Sequence, residues 1–461
     1  MRYVLIIFVL TLVHAEQAFK DLLDRLFTQE SLQAYEITFN ISHHKPDVKR
    51  KTGRNATISF PTSSFVGKTK VYIAGTSVAD AAYCLHQLCL EHRVSFSWND
   101  IEKKRFPDDF SIFSNITCHS PFSIQHALNA VTVSYSMQWF GWERWERLID
   151  WMALHGINAP LMPLGHESIQ RAMLMDYGLD DRDWLPGAAF LSWARMGNLQ
   201  RWAGPPSLTW MYGQLDLARL VVARMATLDM VPVLPAFSGF LPDSFVDKFP
   251  NASYQHLSTW SHFNCTNSCI VWLDPSDELF AQFQGSYLVH QMKMLNHTGS
   301  LFALDMFNEV TPRSNNVDFL AKTALDVRNS LPEEATWVMQ GWLFHNQPDF
   351  WQPAQIKAFL QGVPVGDVLV LDLYAENSPF FNVTDSFYGQ PFVWCMLGNF
   401  GGNTGWYGAL PDIAQSFSNA VSMKGSTMVG TGIVPEGLFQ NDFVYDFTMQ
   451  MGLVSNYKEV K

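Results

Sequence analysis

At 461 residues, 48% of them hydrophobic and 16% charged, the chain can bury a substantial core, and more than one domain is expected. A net charge of −12 argues against general nucleic-acid binding, which needs a basic face, and suits an acidic compartment, where that charge shrinks. The sequence carries no internal repeat and no low-complexity tract.

In chain order, Arg2 precedes an apolar run from Val4 to Val13, and Val13-His14-Ala15 fits a small-residue cleavage site. This pattern predicts a secretory signal peptide over residues 1–15. The run is half of the ~20 residues needed to span a bilayer, and no later segment is long and apolar enough, so no membrane span is expected. A lumenal route agrees with Asn-x-Ser/Thr acceptors at Asn40, Asn55, Asn115, Asn251, Asn264, Asn296 and Asn382. It also makes disulfides plausible among the six cysteines, above all a small loop closed by Cys265 and Cys269. Cys-x3-Cys spacing can also hold zinc, but no second ligand pair accompanies it, and neither a metal nor a cofactor is expected. The basic stretch His43 to Arg54 reads as a solvated surface loop.

Residues 16–119 read as a small α/β unit: a strand over Lys70–Ala74, a helix over Val78–Glu91 and a second strand over Val94–Trp98. From residue 120 onward, short apolar runs alternate with helical stretches. The runs are Val131–Trp139, Ile157–Leu164, Val231–Phe237, Leu301–Phe307, Trp337–Phe344, Val368–Tyr374, Phe392–Leu397 and Met428–Val434. Eight such runs, many apolar at successive positions, predict parallel strands covered on both faces and a (β/α)8 barrel over 120–461. An open doubly wound sheet is disfavoured because no Gly-rich nucleotide loop follows the first run. The long connection from Gly239 to Gly299 holds three sequons and the Cys265/Cys269 pair, and loops this long are often functional.

In such a barrel the residues just after each strand line the active face. Here they include Asp305-Met306-Phe307-Asn308-Glu309, Gln340-Gly341-Trp342, Asp372-Leu373-Tyr374-Ala375-Glu376, Asn399 to Asn403 and Pro435-Glu436-Gly437. Carboxylates converging amid tryptophan and asparagine are what a glycosidase needs. One carboxyl is protonated to release the leaving oxygen, and one is ionised to attack or stabilise the anomeric carbon. Asn308-Glu309 at a strand end is the strongest such signal. Asp305 reads as a hydrogen-bonded interior acid, Asp372 and Glu376 as binders of hydroxyls or neighbours, Glu167 as a further acid that could reach the mouth, and His262 and His345 as polar wall.

At these residues the chain resembles glycoside hydrolase family 89, the α-N-acetylglucosaminidases, from about residue 55 to the C-terminus. The matching stretches include WERWERLIDWMALHGIN (142–158), WARMGNLQRW (193–202), MFNEV (306–310), PFVWCML (391–397), NFGGN (399–403) and STMVGTGIVPEG (426–437). The resemblance implies a small N-terminal domain, a (β/α)8 barrel and retaining cleavage of terminal α-N-acetylglucosamine, as in lysosomal heparan sulfate degradation. It implies Glu309 as acid/base and Glu436 as nucleophile, with Asn129, Tyr135, Trp193, Trp260, Asn308, Trp342, Trp394 and Asn399 in the substrate pocket. The partner implied is a glycosaminoglycan or another N-acetylglucosaminide. Two runs depart from the family pattern beside the expected pocket: Pro163-Leu164-Gly165-His166-Glu167 replaces Trp-Ser-Gly-Gln-Glu, and Gly398 stands in place of a histidine. The family also carries a long helical C-terminal domain, whereas this chain stops just past the eighth strand and one short helix. Barrel surface left open there would favour self-association into a homo-oligomer. The rival readings are a binding or vestigial protein that keeps the pocket without turnover, and a barrel glycosidase for another sugar.

Overall fold

The computed structural model describes residues 15–49, 53–60, 68–99, 102–107, 115–179, 190–405 and 407–453. The leader expected at the N-terminus lies, except for Ala15, outside them. Strands β1 (Tyr35–Ile41), β2 (Arg54–Ser59), β3 (Thr69–Gly75) and β4 (Ile116–Ser120) form a sheet in the order β1-β3-β2-β4. β1 runs parallel to β3, and β2 is antiparallel to both of its neighbours. Helix α1 (Val78–Glu91) starts where expected, because Ser77 caps it by accepting the Asp80 N–H. The strand expected over Val94–Trp98 does not form. Its alternating apolar residues are buried without a ladder: Phe96 meets Phe27 edge-on at 5.7 Å, and Trp98 lies 4.7 Å from Trp151. A period of two shows which side chains are buried but cannot show that a partner strand exists. A disulfide between Cys84 and Cys118 ties α1 to β4, a pairing the sequence did not single out.

The remaining chain builds a (β/α)8 barrel. Its strands are β5 (Ile124–Ala127), β6 (Ala159–Pro160), β7 (Val233–Pro235), β11 (Leu301–Ala303), β12 (Thr336–Gln340), β13 (Val368–Asp372), β14 (Phe392–Met396) and β15 (Met428–Ile433). They run parallel in the order β6-β5-β15-β14-β13-β12-β11-β7, and a parallel bridge between Leu161 and Val233 closes the ring. The outer helices include α2 (Trp142–Leu154), α3 (His166–Asp176), α4 (Leu208–Thr227), α5 (Glu278–Leu295), α6 (Val317–Asn329), α7 (Pro353–Gln361), α8 (Leu410–Ser422) and α9 (Asp442–Met451). Seven of the eight expected runs contain a barrel strand. The first does not: the strand is β5, and Val131–Trp139 instead makes a short helix, Thr132–Tyr135, and loop at the mouth. β5 escaped notice because half of it is polar. Gln125 accepts from Thr431 and a ring nitrogen of His126 bonds the Ala159 carbonyl, so burial there is met in part by hydrogen bonds rather than by apolar residues.

The long connection after β7 is structured by β8 (Phe240–Leu241), β9 (Tyr254–His256) and β10 (Val271–Leu273), a small antiparallel sheet in the order β8-β10-β9. The expected Cys265–Cys269 disulfide is present within it. Three of the described residues of the basic stretch are anchored rather than free at the surface. Arg54 is buried against Asp80 and donates to the Gly156 carbonyl, Lys49 pairs with Asp367, and His43 pairs with Asp229. Gly156, Asp229 and Asp367 precede barrel strands, so the N-terminal unit is fastened to the rim opposite the strand C-termini. Among the described residues no helix is long and apolar enough to cross a membrane.

Candidate active site

The loops after β11, β12, β14 and β15 converge on a cavity of about 270 Å³, lined by Asn129, Tyr135, Trp193, Met196, Asn308, Glu309, Trp342, Phe400, Gly401 and Glu436 among others. Both glutamates singled out in the sequence therefore face one space, although 127 positions apart in numbering from 309 to 436. Two indoles hold Glu309: Trp260 Nε1 donates to Oε2 at 2.6 Å and Trp342 Nε1 to Oε1 at 2.8 Å. The Asn346 amide adds a longer contact of 3.4 Å. Glu436 accepts the backbone N–H of Gly401. Burial first, and then the charge of Glu309, push Glu436 up to about 7, while the Gly401 bond acts in the opposite direction. The same two carboxylates and, before them, burial raise the Tyr135 phenol.

An aromatic wall runs along one side. Tyr135 meets Trp193 edge-on at 5.4 Å, Trp193 lies 6.1 Å from Trp260, and Trp260 stacks on Phe263 at 5.6 Å. Trp342, 6.1 Å from Phe400, forms part of the other side. Trp260 sits in the long connection, five residues before Cys265 of the Cys265–Cys269 bridge, so that loop reaches the carboxylate. Asn129 is buried at the rim and fixed by Val131 and Val434. Asn308 donates to the Met196 sulfur, and its carbonyl oxygen is buried without a protein partner.

Two of the expected pocket residues lie elsewhere. Trp394 is fully buried and directs its indole toward Ser416 on α8, because alternate residues of β14 face outward to the helices rather than into the barrel. Asn399 stands behind the pocket. It accepts the Gly437 N–H and donates to the Gly437 carbonyl and to Tyr445, which fixes the turn that carries Glu436. Glu167 does not reach the mouth: it is buried in a two-point pair with Arg195. Asp305 accepts two bonds from Gln340, as an interior acid should. Asp372 accepts the N–H groups of Phe380 and Phe381, and Glu376 those of Leu397 and Gly398. His262 is exposed, and His345 lies 4.9 Å from Trp342. Sequence reasoning placed Phe400 and Gly401 in the run expected at the active face without giving either a role, and it missed Met196, which comes from an irregular loop. Met196 was visible inside a quoted motif, but nothing in its residue type marks a pocket.

Both departures from the family pattern have a structural setting. Gly398 has φ +77°, and a Cβ there would come within 2.6 Å of the Tyr445 hydroxyl, so a histidine on this backbone would be strained and something would have to shift. Pro163 and His166 line a smaller cavity of about 80 Å³ inside the barrel rather than the carboxylate pocket.

The geometry has clear relatives. Residues 125–455 match the family model described as the alpha-N-acetylglucosaminidase (NAGLU) tim-barrel domain. The chain is 40% identical over 402 residues to human alpha-N-acetylglucosaminidase, covering 84% of this chain and 53% of that protein. It thus spans about half the length of the curated relative it matches. Its fold is similar to a family 89 glycoside hydrolase from Clostridium perfringens in complex with 2-acetamido-1,2-dideoxynojirmycin (TM-score 0.83, 23% identity, 97% of this chain and 49% of that one). The same figures hold for a doubly Glu-to-Gln form of the Clostridium enzyme bound to its substrate GlcNAc-alpha-1,4-galactose.

Proposed function

The chain belongs to the alpha-N-acetylglucosaminidase family, and on that premise we propose that it is a retaining exo-glycosidase for terminal, non-reducing, α-linked N-acetylglucosamine. The observation that carries this is the convergence of Glu309 and Glu436 on one aromatic-walled cavity about the size of a single sugar residue. The human relative's name and the ligand of the Clostridium enzyme supply the sugar. Heparan-type chains are the natural substrate proposed, and the lysosome is the compartment.

The mechanism follows from substrate geometry. In an α-linked N-acetylglucosaminide the 2-acetamido group lies cis to the leaving oxygen, so it cannot attack the anomeric carbon from behind. A protein carboxylate has to do so, and Glu436 takes that role. Glu309 donates its proton to the glycosidic oxygen as the C–O bond breaks, and Glu436 forms a β-glycosyl ester. Glu309 then takes a proton from water, which displaces Glu436 and releases the α-anomer. Burial and the neighbouring Glu309 charge raise the Glu436 carboxyl to about 7, so at acid pH it holds a proton. Turnover needs it on Glu309. Positive charge growing at the anomeric carbon favours ionised Glu436 and so drives the proton the right way. The indole donors of Trp260 and Trp342 fix the Glu309 carboxyl in place meanwhile.

Glu309→Gln and Glu436→Gln should each lower kcat on a chromogenic α-N-acetylglucosaminide by roughly 10³-fold or more while circular dichroism stays unchanged. Azide should restore turnover of an activated substrate by Glu436→Ala, releasing the β-glycosyl azide, because azide occupies the face the carboxylate left. A Glu436→Gln protein near wild-type activity, or first release of the β-anomer in proton NMR, would overturn the assignment. A wild-type protein that binds the sugar without turnover would instead identify a binding protein.

A further inference from the structure

Far from the pocket, at the junction of the N-terminal unit with the barrel, His86 on α1, His155 at the end of α2 and Asp446 on α9 come together. One ligand atom from each lies within 4.8 Å of the others. Both histidines are 1% exposed. His155 has an acceptor at each nitrogen: Nδ1 is 2.7 Å from the Trp151 carbonyl and Nε2 is 2.9 Å from Asp446 Oδ1. A neutral imidazole has one N–H and cannot donate to both, so a cation is required, either a second proton or a metal ion in its place. His86 supplies the second observation. It is buried with its ring 4.5 Å from that of His155, and neither nitrogen makes a hydrogen bond of good geometry, the Leu154 backbone offering only a weak polar contact. A second proton on His155 leaves His86 unsatisfied, whereas a metal ion satisfies His86, His155 and Asp446 together.

We propose that this cluster is a structural site for a divalent, zinc-like cation that pins α1, α2 and α9 together. Two imidazoles and a carboxylate are a borderline-soft donor set that suits zinc. The carbonyl of Trp151 on His155 Nδ1 is the outer partner that metal-bound histidines generally have, and it leaves Nε2 as the ligating atom. Gln450 plays the same part for Asp446, donating at 3.0 Å. His155 caps the C-terminal end of α2, where the helix dipole favours positive charge. Tetrahedral ligation at ~2.0–2.1 Å sets donors roughly 3.4 Å apart, so on binding the pairs spread toward 4.8 Å must close and the His155–Asp446 pair, at 2.9 Å, must open. Asp446, with its side chain 23% exposed, has room to move and leaves a path for a water as fourth ligand. The site owes nothing to the glycosidase assignment.

The test uses the whole secreted chain. After dialysis against a chelator it is titrated with Zn²⁺ near pH 7 and then with Co²⁺. Expected are about one equivalent of zinc by elemental analysis, visible Co²⁺ bands of tetrahedral intensity, and a Tm about 5 °C or more higher with zinc. His86→Gln and His155→Gln should each lose the bound zinc and the Tm gain. Should these variants fail to fold, the wild-type stoichiometry and Co²⁺ spectrum decide. A wild-type chain that takes up no zinc and shows no Tm response would overturn the site, as would undiminished zinc uptake by His86→Gln.

Discussion

Glu436 shows how one side chain can be costly to the fold and, in the proposed mechanism, necessary to the chemistry. It is raised to about 7 because burial and Glu309 oppose its charge, so the folded state binds its proton more tightly than the unfolded chain does. Its contribution to stability is therefore full in acid and is lost as pH rises through about 7. Glu436→Gln mimics the protonated form at every pH. It should leave Tm little changed at pH 5 and raise stability by about 1–2 kcal/mol at pH 8, read from denaturant curves at both pH values. An equal gain at both would show that burial does not penalise the charge. Glu309 is held differently, by donors that can be removed singly. Trp342→Phe and Trp260→Phe keep the ring and delete the N–H. Each should cost about 1–2 kcal/mol of transition-state stabilisation, or roughly 10-fold in kcat, with KM less affected.

At the level of elements, the site depends on tight turns after β14 and β15. Gly398 lies in the left-handed region with the Tyr445 hydroxyl against it, and a Cβ on Gly437 would come within 2.8 Å of the Gly402 Cα. Asn399 bridges these two turns. Gly398→His, which restores the family's residue, should therefore destabilise the chain by about 2–4 kcal/mol through strain and overlap, visible as a fall in Tm. It should also lower activity by displacing Asn399 and hence Glu436. A variant with unchanged Tm would mean that the loop has another accessible conformation. The long connection contributes in another way. Its small sheet and the Cys265–Cys269 bridge hold the loop that brings Trp260 to Glu309.

Across the whole molecule, function and attachment occupy opposite ends of the barrel. The pocket lies at the strand C-termini, and the N-terminal unit is fastened at the other rim by Arg54, Lys49 and His43. All seven sequon asparagines are exposed, including Asn55 within β2 and Asn264 beside the disulfide loop. The proposed lumenal route therefore meets no steric bar at the acceptors. Expressed in secretory cells, the chain should lose residues 1–15 and carry N-glycans, so that N-glycosidase treatment lowers its mass. An intact Met1 with no mass shift would remove the lysosomal proposal.

The barrel was legible in the sequence because parallel strands covered on both faces must be apolar at successive positions; many of the eight runs are, and seven of them hold a strand. Glu309 and Glu436 were legible because a barrel puts the residues after its strands at one mouth, whatever their separation in the chain, and because the surrounding motifs resemble a known family. Where burial is satisfied by hydrogen bonds rather than apolar surface, as in β5, the pattern carries no signal. Where apolar alternation packs without a ladder, as at Phe96 and Trp98, the signal misleads. Only the tertiary structure could turn Trp394 outward, place Asn399 behind Glu436 rather than beside the substrate, and draw His86, His155 and Asp446 together. Those outcomes depend on which face of a strand meets which helix and on contacts between segments hundreds of residues apart, and local residue order does not encode either directly.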